Sequence, residues 1–447
     1  MKNNKALKIF LTVTVALVIA AAAFAAGFIT SRFTRGRQAS SYEWLINTIK
    51  ENYYEDVPID DISESTLKGI ADKYLDIYSA YYTAEEYDAL VASNSGSKSG
   101  VGISYAFVPD GVHPSGNSGV LIESVVGNSP AYDSGLRAGE FVTAVEHGSQ
   151  KTEITSSDDF SNCIDSFATG ESFTFITDRG EYELSKQNYT ASYCTMYTST
   201  AQWSIVYDGS GGKTVRTDGG IKCLPDGAAY LKLDQFYGNA ASEMASLIEI
   251  FNAQSCTSLI LDLRGNGGGY VDVMCDIAGI YTGLLTERNK IGMIAVYKNG
   301  RQEGYSVKNN YKSSACLPAG TKVSVLADNG TASASEALIG VLIDNGVIDY
   351  GDVYVSDFSE NYLAFSHTAD KNCRTYGKGI MQTTIRNHLT GEALKLTTAK
   401  IYWPKGEVSI HGVGLNVEQG CKTVKAEWDV TYGDEQLALA VKAIYAN

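Results

Sequence analysis

The chain lacks the signals on which several large classes of protein depend. It has 36 lysines and arginines against 51 aspartates and glutamates, a net charge of −15. A phosphate backbone is gripped by basic patches, so the balance argues against nucleic-acid binding. No CxxC pair occurs. The eight cysteines stand singly, at Cys163, Cys194, Cys223, Cys256, Cys275, Cys316, Cys373 and Cys421. Structural zinc sites use closely spaced ligands, so no metal site is expected, and nothing calls for another cofactor. An even cysteine count permits disulfides in an exported protein, while those in apolar runs read equally well as buried thiols. No GxxxxGK[ST] run exists, and Gly265–Tyr270 (GNGGGY) lacks the GxGxxG spacing of a nucleotide cradle.

What is present begins with residues 9–30, which carry no charge. That length matches the hydrocarbon core of a bilayer. Lys2, Lys5 and Lys8 precede it, and Arg32, Arg35 and Arg37 follow. Residues 1–37 therefore read as a short tail and an uncleaved membrane anchor. A cleavable signal peptide is the alternative, because Ala21–Ala26 could hold a cleavage site. Either way the body is expected outside the cytoplasm, as a single-pass membrane protein or an exported one. At 447 residues the chain can hold two or three domains with cores of their own.

Residues 38–95 read as a helical region. Trp44, Leu45, Thr48 and Ile49 recur at helical spacing, as do Leu67, Ile70, Ala71, Tyr74 and Leu75. Thr83–Glu86 forms a capping box that opens a further helix. A Ser/Gly-rich linker, Asn94–Lys98, follows. Residues 96–188 then alternate strands (Gly119–Val126, Phe141–Val145) with two short helices, one capped by Ser157 and carrying Phe160, Cys163, Ile164 and Phe167 on one face. Its Ser129–Glu140 stretch (SPAYDSGLRAGE) and its loop Gly100, Val101, Gly102, Ile103 resemble those of a PDZ domain. The resemblance implies capture of a peptide C-terminus as an added edge strand.

Residues 189–447 alternate strands and helices. Strands are expected at Ala228–Leu233, Leu259–Leu263 and Val323–Ala327, and helices at Ala240–Phe251, Tyr270–Tyr281, Ser335–Asp344 and Asp434–Tyr445. The alternation predicts a mainly parallel sheet with helices on its faces. Two of its turns carry the chemistry. One strand runs into the glycine turn of Leu261–Gly269 (LDLRGNGGG). Another runs through Asp328-Asn329-Gly330 into Thr331–Glu336 (TASASE), which opens a helix. A serine on such a turn, beside free backbone N–H groups, supplies a nucleophile and an oxyanion hole. Either Ser333 or Ser335 could serve by residue type. A serine hydroxyl also needs a base, and Lys378, between Gly377 and Gly379, offers one if desolvation keeps its amine neutral. Glu336, Arg264 and Asp262 read as structural.

These motifs together resemble the carboxy-terminal processing peptidases, the S41 serine peptidases. Tyr230–Phe236 (YLKLDQF), Tyr376–Gln382 (YGKGIMQ) and Leu396–Leu415 join the two turns in carrying the likeness. The resemblance implies a multidomain α/β and α+β protein: membrane helix, helical arm, PDZ domain and mixed α/β peptidase core. It places the nucleophile at Ser333, the general base at Lys378, a positioning amide at Gln382, and the oxyanion donors at Gly269 and Ala334. It further implies protein or peptide substrates with free C-termini, PDZ-gated access and a possible homodimer. The rival is an inactive scaffold that kept the fold. In its favour, 45 positions separate Ser333 from Lys378, more than the resemblance suggests, with an extra acidic and aromatic segment at Val353–Asn372.

Overall fold

A computed structural model describes residues 41–57, 67–113, 115–137, 139–208, 212–221, 224–281, 291–308, 311–356, 373–424 and 441. The apolar stretch 9–30, the terminal helix expected at Asp434–Tyr445 apart from the helical Val441, and most of the extra segment, 357–372, lie outside these residues. Among the described residues no helix is long and apolar enough to cross a membrane. The chain divides into two compact units, residues 1–88 with 382–399, and residues 89–381 with 400–447.

The first unit is the helical arm with one correction. Residues 41–52 and Leu67–Tyr74 are helical, but Ala80–Tyr82 is a strand, paired antiparallel with residues 393–395. A three-residue strand whose partner lies some three hundred positions on leaves no local signature. Leu45, Ile49, Tyr53, Ile70, Ala71, Tyr81, Leu394 and Leu396 form the core. The helical spacing read from the sequence is thus the buried stripe. Thr83 and Glu86 form the expected reciprocal cap, each backbone N–H bonded to the other's side chain (2.9 and 3.2 Å).

The second unit contains a six-stranded and an eight-stranded sheet, a two-stranded pairing, and the paired strands Ile291–Tyr297 and Gln302–Ser306. Its first part is a six-stranded antiparallel sheet ordered Ile103–Val108, Gly119–Val125, Phe141–His147, Ser172–Thr177 and Glu181–Ser185, with Gln150–Glu153 beside the third strand. Val120, Ile122, Leu136, Val142, Phe160 and Phe175 centre its core. The N-cap of the helix Ser157–Ser166 is Ser156, one residue before the expected cap: its side chain accepts the Asp159 N–H. The expected linker is partly strand, because Ser97–Gly100 pairs with Gln187–Thr190. This pairing closes the module's two ends onto each other.

The larger sheet has eight strands, ordered Lys213–Gly219, Ala201–Tyr207, Cys194–Tyr197, Ala228–Leu233, Ser258–Asp262, Lys322–Ala327, Val353–Ser356 and Lys422–Val424. The first three join antiparallel. From Ala228–Leu233 onward every pairing is parallel. The mainly parallel sheet is therefore present, with an antiparallel wing that the alternation alone did not reveal. All five residues of Ser258–Asp262 are buried, as expected of a strand covered on both faces. The helices Ala240–Ala253, Val271–Ile280 and Ala334–Asp344 each bury apolar side chains. Val353–Ser356, the first four residues of the extra segment, form a strand of this sheet. Three turns leave the carboxyl ends of adjacent parallel strands, at residues 234–239, 263–270 and 328–333, where open α/β sheets place their ligands.

Candidate active site

The turn after Lys322–Ala327 is built before the helix begins. Asp328 Oδ1 accepts the N–H groups of Gly265 and Gly330 at 2.9 Å each. The Thr331 hydroxyl donates to the Leu263 carbonyl (2.8 Å). These bonds tie the turn to its neighbour and deliver Ser333 to the first turn of Ala334–Asp344. Ser333 has φ 57° and ψ −114°, a backbone conformation that non-glycine residues rarely adopt. Such strain persists where the surroundings over-determine it, and it clusters at functional sites. A sharp strand-to-helix turn bearing a strained serine is how a nucleophile is held clear of its own backbone.

The glycine turn packs directly on Ser333. A Cβ on Gly268 would lie 2.8 Å from the Ala332 oxygen and 2.9 Å from both the Ala334 nitrogen and Ser333 Cβ. Gly269 forms a parallel bridge with Phe236, which accepts from Tyr270 N–H and donates to the Gly268 carbonyl (2.9 Å each). Among the described residues the N–H groups of Gly269 and Ala334 donate to no protein acceptor. The Ala334 amide also sits at the positive end of the helix dipole.

Ser335 is a different kind of residue. It is fully buried, and its hydroxyl donates to the Asn266 carbonyl at 2.9 Å. The two serines that composition left equal are separated by burial and by an occupied hydroxyl.

Glu336 joins Ser333 to the lysine loop. Its carboxylate is fully buried. Oε1 accepts from Thr375 Oγ1 (2.5 Å) and Gly377 N–H (2.8 Å); Oε2 accepts from Lys378 N–H and Ser333 N–H, 2.9 Å each. The backbone nitrogens of Ser333 and Lys378 thus share one oxygen. Burial pushes this carboxyl above the usual range, and the four donors oppose that shift. Tyr376 N–H adds a bond to the Thr331 carbonyl (3.0 Å). Gly377, at φ 84°, leaves no room for a side chain: a Cβ would lie 2.9 Å from the Gly414 nitrogen. Lys378 is partly buried, as expected for a loop packed this closely. Sequence reasoning gave Glu336 a structural role. It missed Thr375, whose hydroxyl also accepts the Leu415 N–H at 2.8 Å.

Asp262 supports the glycine turn from beneath. It is buried and accepts from Arg264 N–H (2.9 Å), Arg264 Nη2 (2.7 Å) and the Tyr230 hydroxyl. Burial alone would raise its pKa, but Arg264 and Lys232 hold it well below the usual carboxylate range. Asp262 and Arg264 thus form an ion pair, in keeping with the structural roles read for both. Gln382 belongs to the first unit, where its side-chain amide donates to Thr397 Oγ1 at 3.0 Å. The loop Gly100, Val101, Gly102, Ile103 leads into the edge strand of the six-stranded sheet. The Val101 carbonyl accepts from Ala131 N–H and the Gly102 carbonyl from Val126 N–H, 2.9 Å each. No group of three or more His, Cys, Asp or Glu residues among the described residues could hold a metal ion.

A strained serine on a strand-to-helix turn, packed against a glycine turn, is an arrangement that can supply a nucleophile and an oxyanion hole. Residues 227–350, which contain both turns, match the model of peptidase family S41, and the chain spans about 65% of the length of the first curated relatives it matches. It is 25% identical over 383 residues to the "Probable CtpA-like serine protease" of Staphylococcus epidermidis, a match spanning 86% of this chain and 65% of that one. It is also 25% identical over 381 residues to the chloroplastic C-terminal processing peptidase of Tetradesmus obliquus, spanning 82% and 70%. A solved structure assigned to the S41 proteases, from Bacteroides fragilis, shares the fold, with a TM-score of 0.59 at 14% identity over 90% of this chain and 97% of that one.

Proposed function

We propose that the chain is a serine endopeptidase that cleaves proteins near their C-termini. The observation that carries the proposal is Ser333, strained at φ 57° beside Gly268 and followed by Ala334, whose amide, like that of Gly269, donates to no acceptor among the described residues. In this reading Lys378 takes the Ser333 proton as the hydroxyl attacks the scissile carbonyl. The tetrahedral oxyanion is held by the Gly269 and Ala334 N–H groups. The proton then passes to the leaving amine, and water, deprotonated by the same lysine, releases the acyl group. Gln382 is given its positioning role by the family resemblance alone. Glu336, by holding both Ser333 and Lys378 through their backbones, keeps the pair in register before substrate arrives.

Residues 96–188 serve as a PDZ domain. Among the described residues Ile103–Val108 is the terminal strand of its sheet, so a peptide tail would add along it, with Gly100–Ile103 receiving its carboxylate. The position outside the cytoplasm and the anchor rest on residues 9–30 and their basic flanks, and the homodimer on family resemblance. The test is incubation of the full chain with an unfolded protein, with products mapped by mass spectrometry. C-terminal truncation that disappears in Ser333→Ala supports the reading. Unchanged truncation in Ser333→Ala, or no truncation by the folded wild type, leaves the scaffold reading in its place.

A further inference from the structure

We infer that Asn266 is the residue that aims the oxyanion-binding amides, a positioning residue for the reaction proposed above, on which this inference rests. Asn266 is fully buried. Its Nδ2 donates to the Leu233 carbonyl (2.8 Å), and its Oδ1 accepts the Gly268 N–H (2.9 Å). Its own carbonyl accepts both Ala332 N–H (3.0 Å) and Ser335 Oγ (2.9 Å), and its N–H donates to Leu263 (3.1 Å). One residue therefore spans the turns leaving three adjacent parallel strands.

The consequence for the site follows from which amides are used. Oδ1 engages the Gly268 N–H, so the next amide, that of Gly269, is the one left turned out. The Asn266 carbonyl grips residues on both sides of Ser333, so the elbow and the Ala334 amide sit at a fixed distance from that turn. A carboxamide can donate to a carbonyl and accept from an amide at once; a carboxylate can only accept. Ionised aspartate here would present an oxygen to the Leu233 carbonyl. Protonated aspartate could restore both bonds.

The experiment uses the full chain, with steady-state peptide cleavage, affinity for a peptide aldehyde that adds to Ser333, and thermal melts measured together. Asn266→Ala should lower kcat on the order of a hundredfold, the scale of losing one oxyanion donor. KM should stay within about threefold, because ground-state contacts are untouched. Aldehyde affinity should fall with kcat/KM. Asn266→Asp should be impaired at neutral pH and regain activity as pH falls, with a pH profile displaced to acid relative to the wild type. Charged groups on the surrounding turns are Asp262 and Arg264, Lys232 and Asp234, and Asp328 and Glu336. They are common to both proteins, so comparing the two profiles removes their titration. Ser335→Ala should give a smaller loss. A folded Asn266→Asp with kcat within twofold of wild type at every pH overturns the inference. So does a loss of activity that merely tracks the melting temperature, with no acid recovery. Should Asn266→Ala fail to fold, the nearly isosteric Asn266→Asp decides alone. Wild-type activity that survives Ser333→Ala would instead sink the functional reading, and is measured first for that reason.

Discussion

Replacing Glu336 with glutamine tests whether one carboxylate organises the site. The side chain keeps its shape but exchanges an oxygen for an NH2 group. Whichever oxygen is lost, two of the four donors now face another donor. If it is Oε2, these are the Ser333 and Lys378 amides; if Oε1, they are Thr375 Oγ1 and Gly377 N–H. A buried donor without an acceptor costs about 1–3 kcal/mol, so the pair costs about 2–6 kcal/mol of stability. The functional cost is separate. A displacement of about 1 Å in a reacting group can cost on the order of a hundredfold in rate, and here both groups hang from one carboxylate. Chemical denaturation and peptide cleavage should therefore show a less stable protein whose kcat falls by at least about a hundredfold. Burial sets this carboxyl above its ordinary range. That raised pKa means its charged form is disfavoured on folding, and any stability it adds is lost as pH rises through the folded value. The wild type should hence lose more stability than Glu336→Gln as pH rises through that value. Wild-type stability and activity in Glu336→Gln at neutral pH would refute the reasoning.

Three further outcomes are expected. Gly268→Ala, which places a methyl 2.8 Å from the Ala332 oxygen and demands φ 99° of an alanine, should reduce kcat more than KM while the protein stays folded, as read by cleavage kinetics and circular dichroism. Asp234 is pushed up to about 6, by burial first, against Lys232 and with Asp262. Its contribution favours the fold below its ordinary value near 3.8 and is lost as pH rises through about 6. Asp234→Asn should therefore gain on the order of 1–3 kcal/mol relative to wild type between pH 4 and pH 8, measured by denaturant unfolding at both. Asp133→Ala removes the exposed pair with Arg216 (2.8 Å) and should change stability by less than about 1 kcal/mol.

The parts of the fold that showed in the sequence are those fixed by local pattern. Leu259–Leu263 reads as a buried strand because four of its five residues are leucine or isoleucine and a glycine turn follows, and its two parallel neighbours read likewise. The helix Ala334–Asp344 announces itself by Leu338, Val341 and Leu342. The strand Ala80–Tyr82 did not show, because its partner comes from residues 393–395. The antiparallel wing Ala201–Gly219 did not show because its outer strand is solvent-exposed and lacks apolar alternation. At the site, the serine turn and glycine turn were legible as motifs. The choice between Ser333 and Ser335 by residue type was not, since it depends on Asn266 capturing one hydroxyl. The link from Glu336 to Thr375, Gly377 and Lys378 spans about forty positions and exists only after folding.

The central claim is that Ser333 becomes acylated with Lys378 as its base. Rapid mixing of the full chain with an activated peptide ester, followed by intact-mass and peptide-map mass spectrometry, tests it directly. The account predicts a single acyl adduct on Ser333, absent in Ser333→Ala and formed at least about a hundredfold more slowly in Lys378→Ala. An adduct on Ser335 or elsewhere, or an unchanged rate in Lys378→Ala, would contradict it.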